Sequence, residues 1–153
     1  MTRKASDLVQ SLQGKTLVTA ESITGGGIGA AITAISGASS VFRGGVISYC
    51  DEVKRDVLGV PEEILQCYGA VSAWTAGYMA SGVRKLLKAD YAVSVTGLAG
   101  PTGDEFGHPV GTVFIGFESQ SKALVKEYHF EGDREAIRNQ TIDAALQLIL
   151  ENA

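Results

Sequence analysis

Nine residues, Thr19-Ala20-Glu21-Ser22-Ile23-Thr24-Gly25-Gly26-Gly27, carry the densest chemistry in the chain. An apolar run, Thr16-Leu17-Val18, leads into a turn bearing a carboxylate and hydroxyls. Three glycines and the small-residue stretch Ile28 to Ile35 follow. That order reads as strand, turn and helix. The glycines let a ligand approach the backbone closely, and the first N–H groups of the helix offer a positive dipole end to an anion. Ser22 equally allows a nucleophile turn. Both readings, anion cradle and nucleophile, stay open on these residues alone.

Three further groups of residues point toward chemistry. With Asp51 as N-cap, Lys54 takes the third helical position, where Glu or Gln normally completes a capping box. A cation there faces the positive end of the helix dipole, and partial burial adds to the effect, so the amine is expected to lose its proton readily. A neutral lysine can deprotonate a hydroxyl, as in serine–lysine hydrolases; a solvated lysine is the alternative. Gly132-Asp133 precedes Arg134 at a first helical position, with Arg138 one turn further on. Two guanidinium groups beside free helix N–H groups would hold a phosphate. The alternative is an exposed pair offset by Asp133 and Glu135. Gly37-Ala38-Ser39-Ser40 and Tyr49 are ordinary loop and strand residues by themselves, and become catalytic candidates only together with Lys54.

These groups need elements to position them. Apolar spacing predicts helices over 6–12, 26–36, 52–58, 73–88 and 134–151, with a short one between Pro61 and Gly69. Strands are expected over 15–20, 44–50 and 91–96, and a hairpin over 111–118 and 123–130. Ser72 and Asp133 are the expected caps of the two long helices. Trp74, Met79, Val83, Leu86 and Leu87 are expected to face inward on the first of these. Ile137, Ile142, Ala145, Leu146 and Ile149 are expected to do so on the second. Gly97-Leu98-Ala99-Gly100-Pro101-Thr102-Gly103 contains too many breakers for anything but a loop. At the carboxyl end of a strand it would form a ligand wall, with a plain long turn as the alternative. The whole implies one α/β domain over 1–153, with a mixed sheet of parallel strands plus a hairpin in the C-terminal half, flanked by helices.

Composition narrows the function. The 153 residues are 45% hydrophobic and 20% charged, ordinary for a globular protein. A net charge of −4 opposes nucleic acid. The N-terminus lacks the apolar core of a secretory signal, and no run approaches the ~20 apolar residues of a membrane span. A cytoplasmic location is the expectation, with no membrane partner. Cys50 and Cys67 lack metal-site spacing and are expected to be unreactive, and His108 to be exposed. No metal is expected.

Taken in order, the motifs resemble the C-terminal domain of the competence/damage-inducible protein CinA and the free-standing nicotinamide-nucleotide amidases related to it. The resemblance spans nearly the whole chain. It is carried by Thr19-Ala-Glu-Ser-Ile-Thr-Gly-Gly26, Gly37-Ala-Ser39, Phe42-Arg-Gly-Gly-Val-Ile-Ser-Tyr49 and Glu52-Val-Lys54. It continues in Leu58-Gly-Val60, Gly69-Ala-Val-Ser72, Thr96-Gly-Leu-Ala-Gly-Pro101, Pro109-Val-Gly-Thr112 and Gly132-Asp-Arg134. The stretch shows no molybdopterin-binding-like domain, so a stand-alone form is expected. Ile23 stands where the family commonly has cysteine, Cys50-Asp51 where it has Ser-Asn, and Asp104 to His108 departs from its usual segment.

The resemblance implies hydrolysis of the carboxamide of nicotinamide mononucleotide, giving nicotinic acid mononucleotide and ammonia, without cofactor. By motif matching it implies Ser39 as nucleophile, Lys54 as base, and Tyr49 as a possible relay between them. The substrate-holding groups are then Glu21, Ser22, Thr24, Gly25 and Gly26 on the first turn, Thr96, Gly97, Ala99 and Gly100 on the second, and Arg134 or Arg138 for the phosphate. A homo-oligomer is implied as well. The rival reading is a nucleotide-binding paralogue without catalysis, with a regulatory role in competence or DNA damage.

Overall fold

Leu17–Glu21 (β1) is an interior strand, second from one edge of the sheet, and the rest of the architecture follows from its burial on both faces. The computed structural model describes residues 1–153. It contains α1 (Thr2–Ser11), β1, α2 (Gly27–Thr33), a 3₁₀ turn (Ala38–Ser40), β2 (Phe42–Ile47), α3 (Asp51–Asp56), α4 (Glu62–Tyr68) and α5 (Ala73–Leu87). These are followed by β3 (Tyr91–Gly97), β4 (Thr112–Glu118), β5 (Ala123–His129) and α6 (Arg134–Asn152). The strand order is β2-β1-β3-β4-β5. β1 pairs in parallel with β2 and β3, whereas β3–β4 and β4–β5 are antiparallel. This is the mixed sheet expected from the sequence.

Alternation along the central strands sends side chains to two cores. Leu17, Val93, Val95, Ile115 and Phe117 meet α1, α2 and α6 through Leu8, Ile28, Ile32, Ile137, Leu146 and Ile149. Val18, Ala20 and Ala92 face the other way, against Leu58, Val60, Leu65, Met79 and Val83. Because parallel strands are covered on both sides, β1 reads as a nearly continuous apolar run. Glu21 is the exception, and its partners are described below.

The caps of the long helices form as expected: Ser72 Oγ accepts from Thr75 N, and Asp133 Oδ1 from Ala136 N. Three expectations are corrected. Helix α1 begins at Thr2, where Lys4 Nζ bonds Asp143 Oδ2 at 2.7 Å and Ala5 packs into the core. Met79 and Val83 face inward as expected, but Trp74 and Leu86 face solvent, at 54% and 50% exposure, because Ala76 and Ala80 complete the buried face of α5. Trp74 stacks on Tyr68 with ring centroids 5.8 Å apart. Cys50, not Asp51, is the N-cap of α3, so Lys54 is its fourth residue. No helix is long and apolar enough to cross a membrane.

Candidate active site

The chain leaves β1 for β2 on one side, while β3 lies on the other. At such a reversal the carboxyl ends of neighbouring strands leave a crevice. A cavity of about 270 Å³ opens there. Ser22 and Ile23, directly after β1, form its floor. Thr96 and Gly97, at the end of β3, form one wall together with Leu98, Ala99, Gly100 and Thr102. Tyr49 and Lys54 enter from the segment after β2, Ala70 and Val71 from the link before α5, and Arg134 from the start of α6.

The Ser22 turn is built by its hydrogen bonds and two glycines. Ser22 N–H donates to Val95 O at 3.0 Å, continuing the β1–β3 pairing, and Gly25 N–H returns to Ser22 O at 3.2 Å. Gly25 and Gly26 take φ of +57° and +101°, which side-chain-bearing residues adopt only with strain. The N–H of Ile23 finds no acceptor in the protein, and Ile23 is among the residues lining the cavity.

Lys54 is 1% exposed, the largest fully buried side chain of the molecule. Its Nζ lies 2.9 Å from Ser22 Oγ, 2.6 Å from Ser48 O and 3.2 Å from Tyr49 O. No carboxylate is among these partners. Burial pushes the lysine pKa down, opposed by the nearby Asp51 and Cys50. Desolvation therefore does the work expected of the helix dipole. A carbonyl oxygen can only accept, so a neutral Lys54 amine gives its two hydrogens to Ser48 O and Tyr49 O. Its lone pair is then left facing the Ser22 hydroxyl.

Several expected roles change with this geometry. Ser39, matched as the nucleophile, is exposed on the 3₁₀ turn and lines a separate hollow with Gly37, Ala38 and Phe42. The serine hydrogen-bonded to Lys54 is Ser22. The Tyr49 hydroxyl, expected to link Lys54 with Ser39, is not among the partners of Lys54, which bonds the Tyr49 main-chain carbonyl instead. The Tyr49 ring is 61% exposed at the rim, where its hydroxyl accepts from Arg134 Nη2 at 3.0 Å. Arg134 also donates to Gly100 O at 2.8 Å, tying the loop to the rim. Arg138 does not line the cavity, and Nε and Nη2 donate to Ile23 O and Thr24 O at 3.1 and 3.0 Å.

Glu21 and Thr24 are buried and do not line this cavity, and Glu21 and Gly26 border another hollow, beside Ile47. Gly25 shapes the turn without lining the cavity. Thr96, Gly97, Ala99 and Gly100 do form the wall, with Thr96 Oγ1 donating to Ala70 O at 2.7 Å. His108 is half-buried, clasped to Asp104 with Nδ1 2.8 Å from Oδ2. Cys50 and Cys67 are exposed free thiols. Sequence reasoning missed the Ser48 carbonyl, the apolar pair Ala70-Val71, and Thr102. Main-chain acceptors and small apolar walls carry no residue-type signal; only the breakers around Thr102 marked its loop.

A mixed α/β sheet with a buried serine–lysine pair at its switch point defines the class. The chain belongs to the CinA C-terminal domain family, whose model matches residues 1–153. It is 48% identical over 135 residues to a CinA-like protein of Endomicrobium trichonymphae, covering 88% of this chain. It spans about a third of the length of the curated relatives it matches, 32% in that case. A competence-damaged protein (CinA) superfamily structure from Escherichia coli superposes with a TM-score of 0.97 at 32% identity, over 99% of this chain and 90% of that one. The competence/damage inducible protein CihA from Agrobacterium tumefaciens gives 0.95 at 37% identity, over 98% and 93%.

Proposed function

We propose that the protein hydrolyses the carboxamide of nicotinamide mononucleotide to nicotinic acid mononucleotide and ammonia, with Ser22 as nucleophile and Lys54 as general base. The observation that carries this reading is a buried lysine without a carboxylate partner, 2.9 Å from a serine hydroxyl at a cavity floor. Lys54 takes the Ser22 proton as Oγ attacks the amide carbon. The oxyanion develops beside the Ile23 N–H, and losing one such donor typically costs ~10²–10³ in rate. Lys54 then gives its proton to the leaving nitrogen, which departs as ammonia and leaves the acyl group of nicotinic acid mononucleotide esterified to Ser22. Water, deprotonated by Lys54, attacks that ester. The acid is released and Ser22 regains its proton.

The cavity suits the rest of the substrate. Val71, Leu98 and Ala99 offer apolar contact to a pyridine ring. Arg134 uses two of its five N–H groups on Gly100 O and Tyr49 Oη, leaving donors for a phosphate at the start of α6. The test is ammonia release from nicotinamide mononucleotide, with mass spectrometry of acid-quenched enzyme. An adduct on Ser22 with the mass of the nicotinic acid mononucleotide acyl group is expected. Turnover with the adduct on Ser39 overturns the assignment of nucleophile, and tight binding without turnover overturns the enzymatic reading in favour of a binding protein.

A further inference from the structure

Glu21 and Arg138 are charged, lie against the nucleophile turn, and have no part in the proposed chemistry. Glu21 is 2% exposed, and its carboxylate accepts four hydrogen bonds. Oε1 takes Thr24 Oγ1 at 2.7 Å and Ile28 N at 2.8 Å. Oε2 takes Thr19 Oγ1 at 3.0 Å and Gly29 N at 3.0 Å. A carboxylate has about four acceptor sites, so this one is saturated and has none left for substrate. Arg138 reaches the same turn from α6 on the opposite side, through Ile23 O and Thr24 O.

From this geometry we infer that Glu21 and Arg138 are positioning residues, a two-sided brace that fixes the Ser22 hydroxyl against Lys54. The inference rests on the reading of Ser22 and Lys54 as nucleophile and base. The turn would otherwise be loose, because Gly25 and Gly26 follow it and the Ile23 N–H makes no internal bond. Each peptide unit is planar and trans, so holding a carbonyl also aims the N–H across the same bond. Arg138 on Ile23 O thereby fixes the Ile23–Thr24 plane. Arg138 on Thr24 O fixes the next plane, whose Gly25 N–H closes back onto Ser22 O. Glu21 anchors the far side by tying the Thr24 hydroxyl to the first turn of α2. Arg138 also stands one helical turn beyond Arg134, so α6 presents one arginine to the cavity and the other to the turn beneath it.

A displacement near 1 Å at a reacting atom costs ~10²-fold in rate, whereas substrate affinity depends on other contacts. Arg138→Ala and, as a second and nearly isosteric variant, Glu21→Gln are therefore compared with wild type for kcat, KM and pH–rate profile on nicotinamide mononucleotide. Amide hydrogen exchange over residues 22–29 is followed in parallel. The expected result is a fall in kcat of roughly 10–100-fold in each variant. KM should stay within about threefold, the pH limb set by Lys54 should not move, and exchange over 22–29 should be faster. Guanidinium ion at low, non-denaturing concentration should restore part of the Arg138→Ala rate.

A raised KM at unchanged kcat means that Arg138 binds substrate and overturns the inference. So does a shifted pH limb, which places its effect on the lysine, or full activity in both variants. Should wild type not hydrolyse the amide at all, the functional reading fails while the brace is still decided by exchange. Unchanged protection of 22–29 in both variants overturns it, and faster exchange confined to that segment supports it.

Discussion

The Ser22 turn and the Ser39 turn are built from similar parts and have different fates. Each joins small residues and a serine to a left-handed glycine ahead of a short helical segment: Gly26 at φ +101° before α2, Gly37 at φ +89° before the 3₁₀ turn. Ser22 is buried directly after the interior strand β1, with Lys54 against it. Ser39 is exposed, and its neighbour Ser40 bonds only Gly37 O and Gln13 Oε1, ordinary loop contacts. In the proposed mechanism reactivity is not a property of the serine-containing turn by itself. It requires the buried amine of Lys54, delivered by a different segment 32 residues away in sequence.

The largest effect that can break this comparison is on rate. Ser22→Ala is expected to lower ammonia release from nicotinamide mononucleotide by roughly 10³-fold or more, as for other activated nucleophiles. Ser39→Ala should stay within about twofold of wild type, as expected for a surface change. The reverse ranking would return the nucleophile to the 3₁₀ turn.

Arg134→Ala is expected to raise KM roughly 10–100-fold with a smaller change in kcat, since a charge-assisted hydrogen bond contributes about 1.5–3 kcal/mol. Steady-state kinetics over a substrate series would show it, and an unchanged KM would remove Arg134 from phosphate binding.

Lys54 supplies a test in pH. Its pKa is depressed in the folded state by burial, so between that lowered value and the ordinary lysine value the unfolded chain binds more protons than the native one. Stability attributable to this group therefore rises with pH across that window and is lowest beneath it. Lys54→Met lacks the group. Thermal unfolding should show the wild-type Tm gaining on the variant as pH rises across that window, while wild-type activity rises as pH passes through the lowered value at which the window begins, and the variant stays inactive. A Tm difference independent of pH would mean that the amine is not desolvated.

The smallest effect sharpens the comparison most. Gly26→Ala and Gly37→Ala each force a β-carbon into the left-handed region, at an expected cost of about 1–2 kcal/mol by chemical denaturation. Only the first should also lower kcat. Equal losses of activity would show that the two turns are functionally coupled.

The periodic elements were legible because local rules and tertiary packing agree there. Ser72 and Asp133 cap as their types require, and the apolar spacing of α6 matches its buried face. Boundaries failed where tertiary contacts extended or redirected a helix, as at Thr2 in α1 and Trp74 in α5. The site was half legible. Ser22, Tyr49, Lys54, Thr96, Gly97, Ala99, Gly100 and Arg134 do converge on one cavity. Glu21, Thr24 and Arg138 also gather at the turn, but outside the cavity lining, where their polar groups bond to the protein. Residue type does not say which side of a turn a side chain takes.

From the sequence alone came the family, the α/β class and the residues able to carry charge, hydroxyls or free N–H groups, because these depend on composition, short-range spacing and motif order. Tertiary structure decided which serine meets the lysine, and that burial is the main cause pushing the lysine pKa down. Both depend on contacts between segments distant in the chain, and desolvation is a property of the assembled surroundings that no local window contains.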